Sequence, residues 1–172
     1  SFAAPLTSFV KTGPGSLTLN VSGLPSSVPI DVSSGGSFGL LADGTGNGLL
    51  ETISVSNPLT MQQPVLSIGR AGGTALWNQA ANKTVLLTNL VLNPGTLATG
   101  LTITLNNGYG LRLDSDIALA AGNAFNVTSA YTASNVVQGL TLGGILSGST
   151  ALNKSGTGVV TLAGANTFSG SI

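Results

Sequence analysis

The chain contains neither histidine nor cysteine. That excludes disulfides and cysteine–zinc sites, and with them histidine-dependent triads and metalloprotease motifs. A cysteine-free sequence also suits bacterial secretion, because folding outside the cell cannot then be derailed by wrong disulfides. Charge is almost as scarce. Lys11, Arg70, Lys83, Arg112 and Lys154 face Asp31, Asp43, Glu51, Asp114 and Asp116, so 6% of the residues are charged and the net charge is zero; ordinary domains carry about a quarter. Such a surface offers no long-range steering, which argues against nucleic acid and anionic membrane as partners. It also repels copies of itself weakly, which favours self-association. No apolar run reaches the roughly 18–20 residues of a membrane helix, so no membrane insertion is expected within 1–172. The sequence starts at Ser1 with no initiator Met. It is therefore expected to be a mature product or an excerpt.

What is present is aliphatic and regular. Hydrophobic residues make up 42% of the chain and are spread evenly, unlike those of disordered sequences. The period is two. Leu17, Leu19 and Val21 alternate with Ser16, Thr18 and Asn20; Leu101, Ile103 and Leu105 alternate with Thr102, Thr104 and Asn106. Leu111, Leu113 and Ile117 share one face, interrupted at Ser115, with Arg112, Asp114 and Asp116 on the other. Further short strands are predicted at 28–32, 49–55, 65–68, 85–92, 136–142 and 159–162, punctuated by Gly-Gly at 35, 72 and 143, Asn-Pro at 57 and 93, and Asn-Gly at 47 and 107. The best helix candidate, 74–81, is short and has no clear apolar face. About a dozen strands at roughly ten-residue spacing imply a sandwich, a barrel or a solenoid. Sandwich and barrel strands usually carry a charged outer face that blocks edge pairing. Here the outer positions are Thr, Ser and Asn, which can form hydrogen-bonded ladders in stacked strands. The expected fold is a single all-β domain over 1–172, a right-handed parallel β-helix (β-solenoid) of about six to eight rungs.

A repeat links the two ends. Residues 9–19 read FVKTGPGSLTL and residues 152–162 read LNKSGTGVVTL, aligning Lys11 with Lys154, Gly13 with Gly156, Gly15 with Gly158, Thr18 with Thr161 and Leu19 with Leu162. The pattern reads as a strand ending in lysine, a Gly-x-Gly turn, and an alternating strand with its apolar residues inward. The second copy continues as LAGANTFSG at 162–170. Together these residues resemble the autotransporter-associated β-strand repeat of large bacterial surface proteins. Lys154, Gly156, Gly158, Leu162, Gly164, Asn166, Thr167, Phe168 and Gly170 match its Lys-x-Gly-x-Gly turn and Asn-Thr-aromatic-x-Gly corner. The first copy departs after Leu19, where NVSGLPSSVP carries no such corner. The resemblance covers about 19 residues well and 11 in part. It implies a right-handed parallel β-helix, secretion and attachment to the outer surface, and no particular ligand.

Rung motifs at both ends, where a solenoid normally carries polar caps, imply a longer rod or neighbouring copies that complete one another. The function expected is a non-enzymatic extracellular building block of a bacterial surface fibre, assembling head to tail through 1–24 and 152–172. An adhesive passenger segment directed at host-surface or matrix glycans is the close alternative. A β-helical carbohydrate-active enzyme is the third, because Asp114 and Asp116 share a strand face with Arg112 and paired carboxylates can cleave a glycosidic bond. With five acids in the chain, an exposed register-holding cluster is the preferred reading of those residues. The stretch ADGTGNGLLE, with Asp43, Thr45, Asn47 and Glu51, has the look of a calcium loop but not its spacing or its flanking helices. Trp77, the single tryptophan, is either a sugar platform or, more commonly, a packed side chain. The sequons at Asn20, Asn82, Asn126 and Asn153 are what 14 Asn and 40 Ser or Thr give by chance, about three. No catalytic residue, cofactor or metal is assigned.

Overall fold

The computed structural model describes residues 6–32, 36–45, 49–62, 65–72, 82–93, 100–119, 124–129 and 139–172. The helix candidate 74–81, Trp77, Asn47 and residues 136–138 lie outside them. Within them the chain is all-β, built from parallel strands in stacked sheets.

Consecutive strands go to different sheets, and every ladder pairs strands that are not neighbours in the chain. A four-stranded sheet holds, in order, β1 (Phe9–Lys11), β3 (Ile30–Val32), β6 (Leu59–Met61) and β9 (Leu90–Leu92). A six-stranded sheet runs from β2 (Leu17–Asn20) through β4 (Phe38–Leu41), β7 (Val65–Gly69), β10 (Leu101–Leu105) and β13 (Ala124–Ser129) to β16 (Asn153–Ser155). A five-stranded sheet runs from β5 (Glu51–Val55) through β8 (Lys83–Leu87), β11 (Gly110–Leu113) and β14 (Leu140–Leu142) to β17 (Val160–Leu162). The short β12 (Ile117–Ala118) and β15 (Leu146–Ser147) pair separately. No helix among the described residues is long and apolar enough to cross a membrane.

The two-residue period explains these elements. In β10, Leu101, Ile103 and Leu105 have no exposed surface while Thr102 and Thr104 stay partly exposed. The register stacks like on like: Ile103 pairs with Leu66 and Val127, and Thr104 with Ser67 and Thr128. Val32 and Met61 of the four-stranded sheet, Leu40 and Ile68 of the six-stranded, and Val85 and Leu111 of the five-stranded join one continuous apolar core. Each such side chain contributes about 1.5–3 kcal/mol by leaving water. Outside, hydroxyl and amide groups bridge adjacent strands, as in Ser37 Oγ to Ser16 Oγ at 2.7 Å and Asn106 Nδ2 to Ser67 Oγ at 3.2 Å.

Two expected strands prove to be pairs separated by a corner. The stretch 85–92 divides at Thr88 and Asn89 into β8 and β9, and 111–117 divides at 114–116 into β11 and β12. Ser115, which interrupts the alternation, is the reason for the second break. Its Oγ accepts the Leu90 N–H at 2.9 Å and donates to Thr88 O at 3.2 Å. A side chain thus replaces the ladder bonds that would have joined β9 to β12.

Candidate functional site

The repeat residues build a defined corner. In the first copy β1 ends at Lys11, whose Nζ turns back to donate to Gly13 O at 2.8 Å. In the second, Lys154 Nζ donates to Gly156 O at 2.6 Å and to Ser155 O at 3.3 Å. Gly13 and Gly156 have φ of +82° and +76°, a conformation that a side chain disfavours. The lysine therefore closes a turn whose carbonyl has swung out of the ladder, through a charge-assisted hydrogen bond.

Beyond this shared turn the copies differ in place. The first joins the four-stranded to the six-stranded sheet; the second joins the six-stranded to the five-stranded sheet, at the opposite end. The chain does not bring them together. Lys11 is buried and Lys154 exposed. Gly158 is buried, and a Cβ there would stand 2.8 Å from Val127 O; its aligned partner Gly15 is exposed, with nothing within 4 Å of the same point. A shallow groove of about 350 Å³ lies beside Gly15, lined by Phe9, Val10, Lys11, Thr12, Ser16 and Leu17. Leu19 and Leu162 both pack, half-buried, against the core.

The rest of the second copy covers the end of β15. Asn166 Oδ1 accepts the Leu146 N–H at 2.9 Å. Thr167 and Phe168 N–H donate to Leu146 O, and Ser169 N–H to Gly148 O. Phe168 adds its ring to the core edge. Gly164 rests on the backbone of Gly144 and Gly170 on that of Thr150, with no room for a Cβ at either.

Asp43, Glu51, Asp114 and Asp116 are engaged by donors of the protein itself, whereas Asp31 Oδ1 is buried without a hydrogen-bond partner among the described residues. Arg112 Nε meets Asp114 Oδ1 at 2.6 Å, both side chains partly exposed, and Asp116 Oδ1 accepts the Ile145 N–H at 2.8 Å. The cluster fixes the corner between β11 and β12 against the next one. An exposed pair of this kind contributes under about 1 kcal/mol. Asp114→Asn should therefore shift the thermal midpoint by less than about 4 °C; a calorimetric scan showing a far larger loss would give this pair a different role.

Further along, Asp43 Oδ1 accepts Ala71 and Gly72 N–H at 2.8 and 3.0 Å. Glu51 Oε2 accepts the Thr45 N–H and hydroxyl, each at 2.9 Å, and meets Lys83 Nζ at 2.9 Å. The Thr45 N–H, with Lys83 next, holds the Glu51 carboxyl down at about 2. Lys83 has no exposed side-chain surface and also donates to Leu49 O at 2.9 Å. Tyr109, fully buried, donates to Ala42 O at 2.6 Å; burial, then the charge of Asp43, pushes its phenol well above the usual range. The sequence reading missed this Glu51–Lys83–Tyr109 corner. Its one signal, a lysine among apolar residues in 83–87, acquires meaning only when the register sets Lys83 beside Glu51. No group of three or more metal-ligating side chains converges among the described residues.

Comparison of the chain with family models, curated proteins and solved structures returned no match.

Proposed function

We propose that the chain is a right-handed parallel β-solenoid of about six to eight rungs. We propose further that it serves as a non-enzymatic extracellular building block that associates end to end. Passage of the chain from sheet to sheet, with parallel partners one circuit away, fits a solenoid, and the crossover rule supplies the hand. Secretion and a place on a bacterial surface rest on the resemblance carried by Lys154 to Gly170.

The observation that carries the reading is the condition of the two ends. Phe9, Leu17 and Leu19 at one, and Val160, Leu162 and Phe168 at the other, pack against the core while keeping part of their surface open. Apolar residues facing along a strand stack are completed by another rung. Elsewhere the carboxylates of Asp43, Glu51, Asp114 and Asp116 hold the chain's own donors, which disfavours the glycan-cleaving alternative.

Electron microscopy of the purified chain at rising concentration tests this. Filaments with an axial repeat of roughly 30–40 Å, the length of six to eight rungs, are expected. Isolated short rods at every concentration would remove end-to-end association and leave the adhesive passenger reading. Compact globules would count against the solenoid.

A further inference from the structure

The two repeat copies stand at opposite ends of the sheets, at different corners. β1 and β2 are the outermost strands of their sheets at one end; β16 and β17 are the outermost strands of theirs at the other. Residues 167–169 bond to the edge of β15, so the outermost described strands of the six- and five-stranded sheets at that end, β16 and β17, are a pair joined by one lysine-closed corner. At the first end, where β5 is the outermost strand of the five-stranded sheet, β1 and β2 are likewise joined by one lysine-closed corner. In the second copy the corner packs on what lies beneath it: Gly158 N–H donates to Val127 O at 2.7 Å, and a Cβ at 158 would meet Val127 Cγ1 at 2.7 Å. Gly15 has the same place in the same turn, with no positive φ to call for glycine and open space where Val127 lies under Gly158.

We infer that the groove beside Gly15 receives the β16–β17 corner of a second copy of this chain, with β2 continuing parallel to β17. This rests on the end-to-end reading and specifies its contact. A parallel continuation requires an occupant that presents two adjoining strands, running the same way, linked by a turn of the same size. Aligning the repeats places Leu17 on Val160, Thr18 on Thr161 and Leu19 on Leu162. The half-buried Leu17 and Leu19 then meet the half-buried Val160 and Leu162, and the exposed threonines form one outer column. Because the copies lie at different corners, the second molecule is turned by one sheet about the stack axis. Lys11 and Lys154 come onto neighbouring layers, so salt should strengthen the contact by screening them.

The absence of cysteine gives a clean test. T18C and T161C are placed on separate chains and mixed under mild oxidation. Neighbouring parallel strands, about 4.8 Å apart, hold Cα atoms within disulfide reach. The mixed T18C–T161C adduct should form on the order of tenfold faster than the T18C–T18C adduct, because docking raises the effective concentration of the right pair. G15V in the T18C chain should abolish that advantage while leaving its own thermal midpoint unchanged. Filaments in the microscope without preferential T18C–T161C linkage would overturn this contact and leave end-to-end association standing. Monomers throughout, with no adduct, would remove both. A G15V chain that melts early would also overturn the proposal, since Gly15 would then be packed within its own chain.

Discussion

Gly144→Val is expected to lower the thermal midpoint by roughly 6–12 °C, the equivalent of about 3 kcal/mol of overpacking in a chain of this size. Any Cβ at 144 falls inside contact with the Ser115 carbonyl and lies 2.8 Å from Asp116 N. These are backbone atoms and cannot rotate away. The two corners are also fastened to each other: Ile145 N–H donates to Asp116 Oδ1, and Ile117 N–H to Ile145 O at 2.9 Å. Making room therefore means separating β12 from β15 and opening the core at Ile117 and Leu146, both buried. The amide protons of Ile117 and Leu146 should lose protection first. Gly23→Ala is the control, because the point where its Cβ would stand has nothing within 4 Å; its shift should stay under about 2 °C. Equal losses in the two variants would mean that contact between corners does not decide where glycine is needed.

Glu51→Gln should cost about 2–4 kcal/mol at neutral pH, somewhat less than removal of one partner of a fully buried pair, since the Glu51 side chain keeps 27% of its surface exposed. The substitution leaves the Lys83 ammonium, which has no exposed side-chain surface, with dipoles in place of a counter-charge. The loss has a pH signature. The Glu51 carboxyl is held at about 2, below its ordinary 4.5, chiefly by the Thr45 N–H and next by Lys83. A carboxyl depressed in the folded state stabilises fully above its unfolded value, and that stabilisation fades as pH falls through the folded one. The difference in midpoint between the native chain and E51Q should therefore be flat from neutral pH down to about 4.5 and close as pH approaches about 2. A difference that does not change with pH would assign the effect to packing instead of charge.

The strands that could be read in advance were those long enough to show a period. Leu101–Leu105 has five residues and alternates throughout, and its in–out pattern is found as expected. Leu59–Met61 and Leu146–Ser147 are too short to display any period. Phe38–Leu41 contains Gly39 and buries three residues in succession, which hides the alternation. Corners were harder than strands, because a run such as 85–92 keeps its apolar character while the backbone bends at Asn89. Its amide reaches back to Ser56 O at 2.9 Å, a bond invisible until the two segments are adjacent. The lysine–glycine turn was legible as a repeat, since it is local in sequence. Its placement at two different corners, and the meeting of Glu51 with Lys83, depend on how many residues lie between paired strands. Composition carries no record of that.

The pairing pattern also bears on how such a chain reaches its native state. Partners across the ladders are separated by roughly 20–40 residues, from Leu140 and Val160 to Val65 and Thr102, and the entropy of closing a loop grows only logarithmically with that separation. No described ladder joins the two ends of the chain. Each new strand is therefore captured by one already in place, at a closure entropy set by the separation of paired strands and independent of total length. A duplicated or lengthened version would meet the same kinetic barrier at every step, and growth by repetition would leave the search problem as small as it was for the first few strands.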